Sequence, residues 1–371
     1  MSGGLSRAFL KSKISAAFAS MIVLCPVCFG ISSIKVGDAE LIYTEDEIPI
    51  RYDGSLSTIR RDGEMYFFHS FGCRIEPEDK ARRSRHSWHK GPPKDPLKVH
   101  VSSKTEEALW DYNGYYTDIR EQGIWILGMY RCPNGDLLAI THAELNDTEK
   151  RNEQRFALGL GYSVDDGSSW TYCGEIVRPA DDRQNIGGGA YVIHDGYLQV
   201  YYNDITQGDR ASEASRIQCA ARAPLDEVLA AAARHKTPTW HKYRDGHWDV
   251  PGLSGEPGED LIPTLVGGED LHSDAAYCAA LGRYLLTVQT HGNSKLLLFS
   301  SADGVDWTFE TTLDEASGDV LQPYSAFVDY DGPSDDGHIV DDDFYIYFPR
   351  KGPDHDHDDM YRVRVQIEGS N

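Results

Sequence analysis

The chain has 371 residues, 59 acidic against 36 basic side chains, and a formal net charge of −23. Hydrophobic residues make up 40% and aromatics 11%, too apolar and aromatic a mixture for a disordered chain. The length allows one large all-β domain or two ordinary ones, and the acidic balance argues against a nucleic-acid binder, which needs clustered Lys and Arg against phosphates.

The first thirty residues stand apart. Arg7, Lys11 and Lys13 precede an apolar run over 14–27, and the small residues Cys28 and Gly30 follow at cleavage-like spacing. This pattern predicts a secretory signal peptide over 1–30, cut after Gly30, and a mature domain over 31–371. The run is short for a full membrane span, and no later stretch is long and apolar enough for one. Removing the peptide deletes three positive charges and the C-x-x-C formed by Cys25 and Cys28. Cys73, Cys132, Cys173, Cys219 and Cys278 remain, an odd number at wide spacing that is unlike a disulfide scaffold. Buried structural thiols are expected, with one or two bridges permitted by an oxidising compartment. The expected product is secreted or periplasmic, soluble and monomeric.

Beyond residue 40, short runs of Val, Ile, Tyr and Phe are punctuated by D-G, N-G and G-x turns. One unit recurs: an apolar strand, a turn, then a strand rich in Tyr, Phe and Leu. It occurs at 56–61 with 64–69, at 125–130 with 136–142, and at 190–193 with 197–203. It returns at 275–280 with 284–290, and at 325–329 with 343–349. Third strands follow at 156–163, 215–222, 295–301 and 360–367, and the one helical stretch is Ala-rich, over 225–234. Five such units predict an all-β, five-bladed β-propeller, with a pair of β-sandwiches as the competing architecture.

Two motifs favour the propeller. Ser163-Val-Asp165-Asp-Gly167-Ser-Ser-Trp170 fits S-x-D-x-G-x-x-W, and Ser301-Ala-Asp303-Gly304-Val-Asp-Trp307 is a shortened echo. Both resemble the Asp-box turns of sialidases and related carbohydrate-active propellers, where the motif shapes a turn and its Trp packs between blades. That resemblance implies a structural role, on the face away from the active site.

In a propeller, the loops leading into inner strands and out of second strands converge on one face. Blade one would bring Arg51, Asp53 and His69; blade two Tyr116, Asp118, His142 and Glu144; blade three Arg183, Asn185 and Asp204. Blade four would bring Asp274 and His291, and blade five Tyr324 and Arg350. Carboxylates, imidazoles and tyrosines in one ring suit glycosidic hydrolysis, which needs one carboxyl to protonate the leaving oxygen and another to activate water or attack carbon. Aromatic rings suit sugar faces. The same ring would also suit a binding site without catalysis.

The segments 123–130, 136–144, 187–193 and 197–204 together resemble five-bladed glycoside hydrolases of the group around family 43, the arabinan-degrading propellers above all. The pattern is one of blades over 48–350 rather than a single motif. The resemblance implies an Asp general base in blade one, matched by Asp53, and further acidic groups from the next two blades. Glu144, ending the T-H-A-E strand, is assigned as general acid, and Asp118 or Asp204 as the group orienting the sugar or tuning the acid. The family carries its acid in blade three, whereas this chain enters that blade with Asn185 and Gly187-Gly188-Gly189. Arg51, His69, Tyr116, His142, Arg183, Asn185, Asp274, His291, Tyr324 and Arg350 are the expected substrate-binding residues.

Three alternatives compete with hydrolysis. A sialidase-like exo-glycosidase could use Arg51, Arg183 and Arg350 with Tyr324, but it lacks the R-I-P motif and the sixth blade. A polysaccharide lyase could use His69, His142 or a tyrosine as base, with the run from Arg82 to Lys90 as a positive lip; the bland reading of that run is a solvated charge cluster. A non-catalytic carbohydrate-binding propeller is the third. No cofactor is required; the tract Asp354-His-Asp-His-Asp-Asp359 reads as an acidic loop, and Ca²⁺ is kept as an unplaced option from the resemblance.

Overall fold

The computed structural model describes residues 33–48, 55–71, 85–97, 99–100, 110–111, 121–146, 154–179, 186–205, 216–263, 273–290, 295–315, 320–321, 324–351 and 358–368. Strands β1 (Ser33–Val36) and β2 (Glu40–Tyr43) come first and wait for a partner at the other end of the chain. Blade one is β3 (Ser57–Arg61), β4 (Glu64–Phe71), β5 (Arg85–Gly91) and β6 (Val99–His100). Blade two begins outside itself, with β7 (Trp110–Asp111), then β8 (Glu121–Arg131), β9 (Leu137–Asn146), β10 (Gln154–Ser163) and β11 (Trp170–Val177). Blade three is β12 (Gly187–His194), β13 (Tyr197–Ile205), β14 (Arg216–Pro224), β15 (His241–Arg244) and β16 (His247–Pro251), with the helix α1 (Leu225–Ala232) between its third and fourth strands. Blade four is β17 (Ser273–Cys278), β18 (Arg283–Thr290), β19 (Lys295–Ser301) and β20 (Trp307–Glu315). Blade five has β21 (Val320–Leu321) and β22 (Ala326–Val328) innermost, then β24 (Asp343–Lys351) and β25 (Asp358–Glu368), while the short β23 (Ile339–Val340) crosses to blade four.

Five separate sheets result, one per blade. The five strand pairs expected from the turn pattern are the first and second strands of these sheets, and the helix forms where its Ala-rich sequence stands. One reading is corrected: the basic run does not form a solvated cluster throughout, because 85–91 is the third strand of blade one, with Ser87 and His89 buried. Alternation places Lys90 at the surface beside Glu64 and hides its neighbour.

Strand alternation also explains how the blades adhere. Phe67 and Phe68 are both fully buried, yet adjacent side chains on β4 point to opposite faces. Phe67 packs with Tyr347 and Met360 of blade five, Phe68 with Trp170 and Ile126 of blade two. Burying a side chain of this size contributes roughly 1.5–3 kcal/mol, and here one strand contributes to two seams. The remaining seams gather Leu158, Tyr202 and Cys219 between blades two and three, Tyr201 and Leu286 between three and four, and Leu298 and Phe344 between four and five.

The ring is closed by the N-terminal strands. Both β1 and β2 pair antiparallel with β25. Arg362 on β25 secures this closure, donating to Glu40 on β2 at 2.9 Å, to the Tyr347 hydroxyl at 2.9 Å and to the Pro93 carbonyl of blade one at 2.8 Å.

The two Ser-x-Asp turns join third to fourth strands, at the same end as the tight 62–63 and 195–196 turns. Asp165 accepts the Ser169 amide at 2.8 Å and Asp303 accepts the Asp306 amide at 2.9 Å, while Ser163 and Ser301 accept the Gly167 and Gly304 amides. Trp170 stacks on Trp110, ring centroids 5.9 Å apart, and Trp307 meets Tyr201 edge to face at 5.4 Å. Cys132, Cys173, Cys219 and Cys278 are buried free thiols, and burial pushes the Cys132 and Cys173 thiols up to about 12. Cys73 and the predicted signal peptide lie outside the described residues. Among the described residues no helix is long and apolar enough to cross a membrane.

Candidate active site on the axis

All five blades contribute to the wall of one small axial cavity, of about 20 Å³. Blade one supplies Ser57 and Thr58, blade two Leu127 to Met129, blade three Tyr191, and blade four Asp274 and Ala275. Blade five contributes through an unusual element. Its connection from β22 to β24, residues 329–342, is the longest of the five first turns and runs back under the axis. There β23 pairs in parallel with β17, Tyr277 opposite Ile339, and sets Asp336, Gly337 and His338 into the cavity wall. Arg60 holds the outer part of this loop, donating to the carbonyls of Tyr330 at 3.1 Å and Gly332 at 2.7 Å.

Three polar features meet at this wall. Asp274 is the second residue of β17; its carboxylate accepts the Phe327 amide at 2.7 Å, linking the inner strands of blades four and five. Burial pushes this carboxyl up to about 7, against the lowering effect of the Phe327 and Ala275 amides. Below it Thr287 donates to or accepts from Ser325 at 2.7 Å. Asp336 accepts the Arg131 amide at 3.2 Å with one oxygen and pairs with His338 Nδ1 through the other. The His338 ring lies between Tyr130 and Tyr191, with centroids 5.6 and 5.8 Å away. A carboxyl that holds its proton near neutrality and a carboxylate-oriented imidazole give the cavity acid–base capacity.

The inner strand of blade three comes close to its neighbour at the glycine triplet. Gly189 has φ +93°, and a Cβ there would lie 2.4 Å from Leu127 Cδ1. The register shift between Gly188 and Ala190 follows from this left-handed backbone. Gly187 N–H is received by the Asn203 side chain at 2.8 Å.

Of the residues singled out from sequence, Asp274 lines the cavity. Glu144 is on β9, opposite Gly123 of the inner strand and Phe156 of the third. His69 and His142 are buried in blades one and two; the His69 ring meets His89 edge to face at 5.0 Å, and His142 stacks on Phe156 at 5.6 Å. Asp204 is buried on β13, where its charge acts on Cys219 and Lys242. Tyr324 is half-buried before β22, and Arg350 is committed to Asp314, with its Nε 3.1 Å from Oδ2. Arg51, Asp53, Tyr116, Asp118, Arg183, Asn185 and His291 lie outside the described residues. Asp336 and His338 were not anticipated. Their one sequence signal is the length of an Asp-, Ser- and Gly-rich connection where the other blades have tight turns.

A buried cation also escaped the sequence reading. Lys242 is fully buried and donates to the carbonyls of Arg178 at 2.8 Å, Ser254 at 3.1 Å and Glu256 at 2.7 Å. Desolvation lowers its pKa, opposed by Asp204. Among the described residues no group of three or more His, Cys, Asp or Glu is placed to hold a metal ion. Residues 354–357 of the acidic tract lie outside the described residues.

No protein-family model and no curated protein matches the chain. Solved structures of similar outline include a family 117 glycoside hydrolase from Zobellia galactanivorans, at 9% identity and TM-score 0.48 over 90% of this chain and 91% of that one. The catalytic domain of a family 62 α-L-arabinofuranosidase from Coprinopsis cinerea gives 7% identity and TM-score 0.47, covering 88% and 95%. A sialidase from Trypanosoma rangeli gives 14% and 0.46, covering 85% of this chain and 45% of that one.

Proposed function

We propose that the protein is an exported glycoside hydrolase that cleaves an oligosaccharide or polysaccharide at the mouth of the axial cavity. The observation that carries this reading is the cavity itself, where a carboxyl held protonated near neutrality shares a wall with an Asp336–His338 pair. A neutral carboxyl both donates and accepts, so Asp274 suits a sugar hydroxyl. The cavity wall carries two carboxyl groups and no arginine or lysine among the described lining residues. That favours a neutral sugar over the carboxylate that a sialidase or a uronate lyase must hold, and Arg350 is already paired with Asp314.

In this reading Asp53 is the general base, Glu144 the general acid, and Asp118 or Asp204 orients the sugar or tunes the acid. Inversion requires the two catalytic carboxyl groups to lie roughly 6.5–9.5 Å apart, retention roughly 5–5.5 Å. The test is a polysaccharide panel read for reducing ends and for absorbance near 235 nm together. Reducing ends without absorbance are expected, lost by about a hundredfold or more in Asp53→Asn and Glu144→Gln. Rising absorbance would replace hydrolysis by elimination, and sugar retention with both channels silent would make the propeller a binding protein.

A further inference from the structure

The lower rim of the seam between blades three and four holds an arginine unlike the rest. The Arg222 guanidinium, near the end of β14, lies between two aromatic rings, 4.1 Å from the Tyr197 centroid and 4.2 Å from that of Trp248. Trp248 is backed in turn by Tyr243, ring centroids 5.0 Å apart. Residues 197, 222, 243 and 248 are all half-buried, so the cluster opens to solvent.

Every other half-buried arginine whose side chain is described has an oxygen partner: Arg60 and Arg61 reach Asp335 and Asp166, Arg178 and Arg244 reach Glu175 and Glu256, and Arg131, Arg283 and Arg350 are likewise engaged. Among the described residues Arg222 has none, in a chain with 59 acidic residues. Both rings are met at the guanidinium carbon, which leaves the N–H donors as the groups to meet a ligand. A stacked, pre-oriented fork of donors is the arrangement that receives a carboxylate or sulfate with two parallel hydrogen bonds. Desolvation by the rings lowers the Arg222 pKa, the response of a cation without a counter-ion.

We propose that Arg222, with Tyr197 and Trp248, forms an oxyanion-binding site for a carboxylate carried on a saccharide, at the end of blade three beside the 195–196 turn. The saccharide part rests on the proposed function. The chain's net charge of −23 opposes a densely charged polymer at long range, so the ligand is an otherwise neutral glycan bearing an occasional uronate. Such a site would retain a decorated chain while the axial cavity works on its neutral part.

The test follows the Arg222 side-chain Nε–H signal by NMR at fixed ionic strength while sodium glucuronate, glucose and sodium sulfate are added in turn. Glucuronate is expected to shift the signal saturably and glucose not to. Arg222→Lys, which keeps the charge but loses the fork, and Trp248→Ala, which loses a stacking wall, should each weaken glucuronate binding by about tenfold when followed by calorimetry. No saturable shift, or unchanged affinity in Arg222→Lys, overturns the site. Sulfate binding as tightly as glucuronate overturns the saccharide assignment and leaves an anion site only. None of these readouts depends on turnover, so failure of the site and failure of the hydrolase reading are separate results.

Discussion

Replacing Asp274 by Asn should make the protein more stable at neutral pH and change how its stability depends on pH. In the folded protein the carboxyl titrates at about 7, against 3.8 for the ordinary group. Below 3.8 it is protonated in both states and costs nothing. Between those values the unfolded chain ionises while the folded one keeps its proton, so folding stability falls as pH rises, by about 1.4 kcal/mol per pH unit. Above 7 the loss is complete, with a ceiling of about 4 kcal/mol that water in the axial cavity reduces. Asn keeps an acceptor for the Phe327 amide and cannot ionise. The assay is urea unfolding of both proteins at pH 5, 6, 7 and 8, followed by tryptophan fluorescence and by circular dichroism, whose coincidence licenses conversion to free energy. All other groups titrate alike in the two proteins and cancel. The advantage of Asp274→Asn should grow with pH and level off near 8. A constant offset across this range, or a variant that loses stability at pH 8, would refute the account of Asp274 as a proton-holding group.

Two further substitutions probe the frame around the site. Lys242→Met fills the same volume but leaves three carbonyls and Asp204 without their cation, and should lower unfolding stability by about 3 kcal/mol in a denaturant titration. Arg362→Met removes the donor that joins Glu40, Tyr347 and Pro93 across the closure, and should cost about 2–3 kcal/mol. Its signature in hydrogen exchange is selective loss of protection in β1, β2 and β25, with blades two and three unaffected.

The blades were legible because their information is local. A D-G or N-G turn between two apolar strands announces a hairpin within a dozen residues in blades one to three, and recurrence of the strand pair in blades four and five completed the ring. The closure was not legible, since nothing near residues 33–43 says that their partner is β25. The axial wall was hidden for the same reason: β23 has two residues, pairs in parallel with a distant blade, and carries no periodicity. Asp274 stood out as an acidic residue beside an inner strand, but its proton affinity comes from burial against blade five, which spacing cannot show. Asp336 and His338 were concealed inside a stretch whose Asp, Ser and Gly content reads as an ordinary loop. Arg222 was equally silent, because Tyr197 and Trp248 reach it from strands fifty residues apart.

The closure also sets an order of events during synthesis. Lys35 and Glu368, which meet across the β1–β25 pair, are separated by 333 positions in the chain. The ribosome makes β1 and β2 first, and they have no strand to join until β25 emerges. Blades one to four can assemble in turn from neighbouring segments, but throughout that time blade five is missing and both ends of the arc expose seams meant for burial. Phe67, which packs against Tyr347, faces water for that interval. The nascent chain is therefore most vulnerable to aggregation just before β25 emerges, and a stop codon upstream of β25 would leave a stalled open arc rather than a smaller propeller.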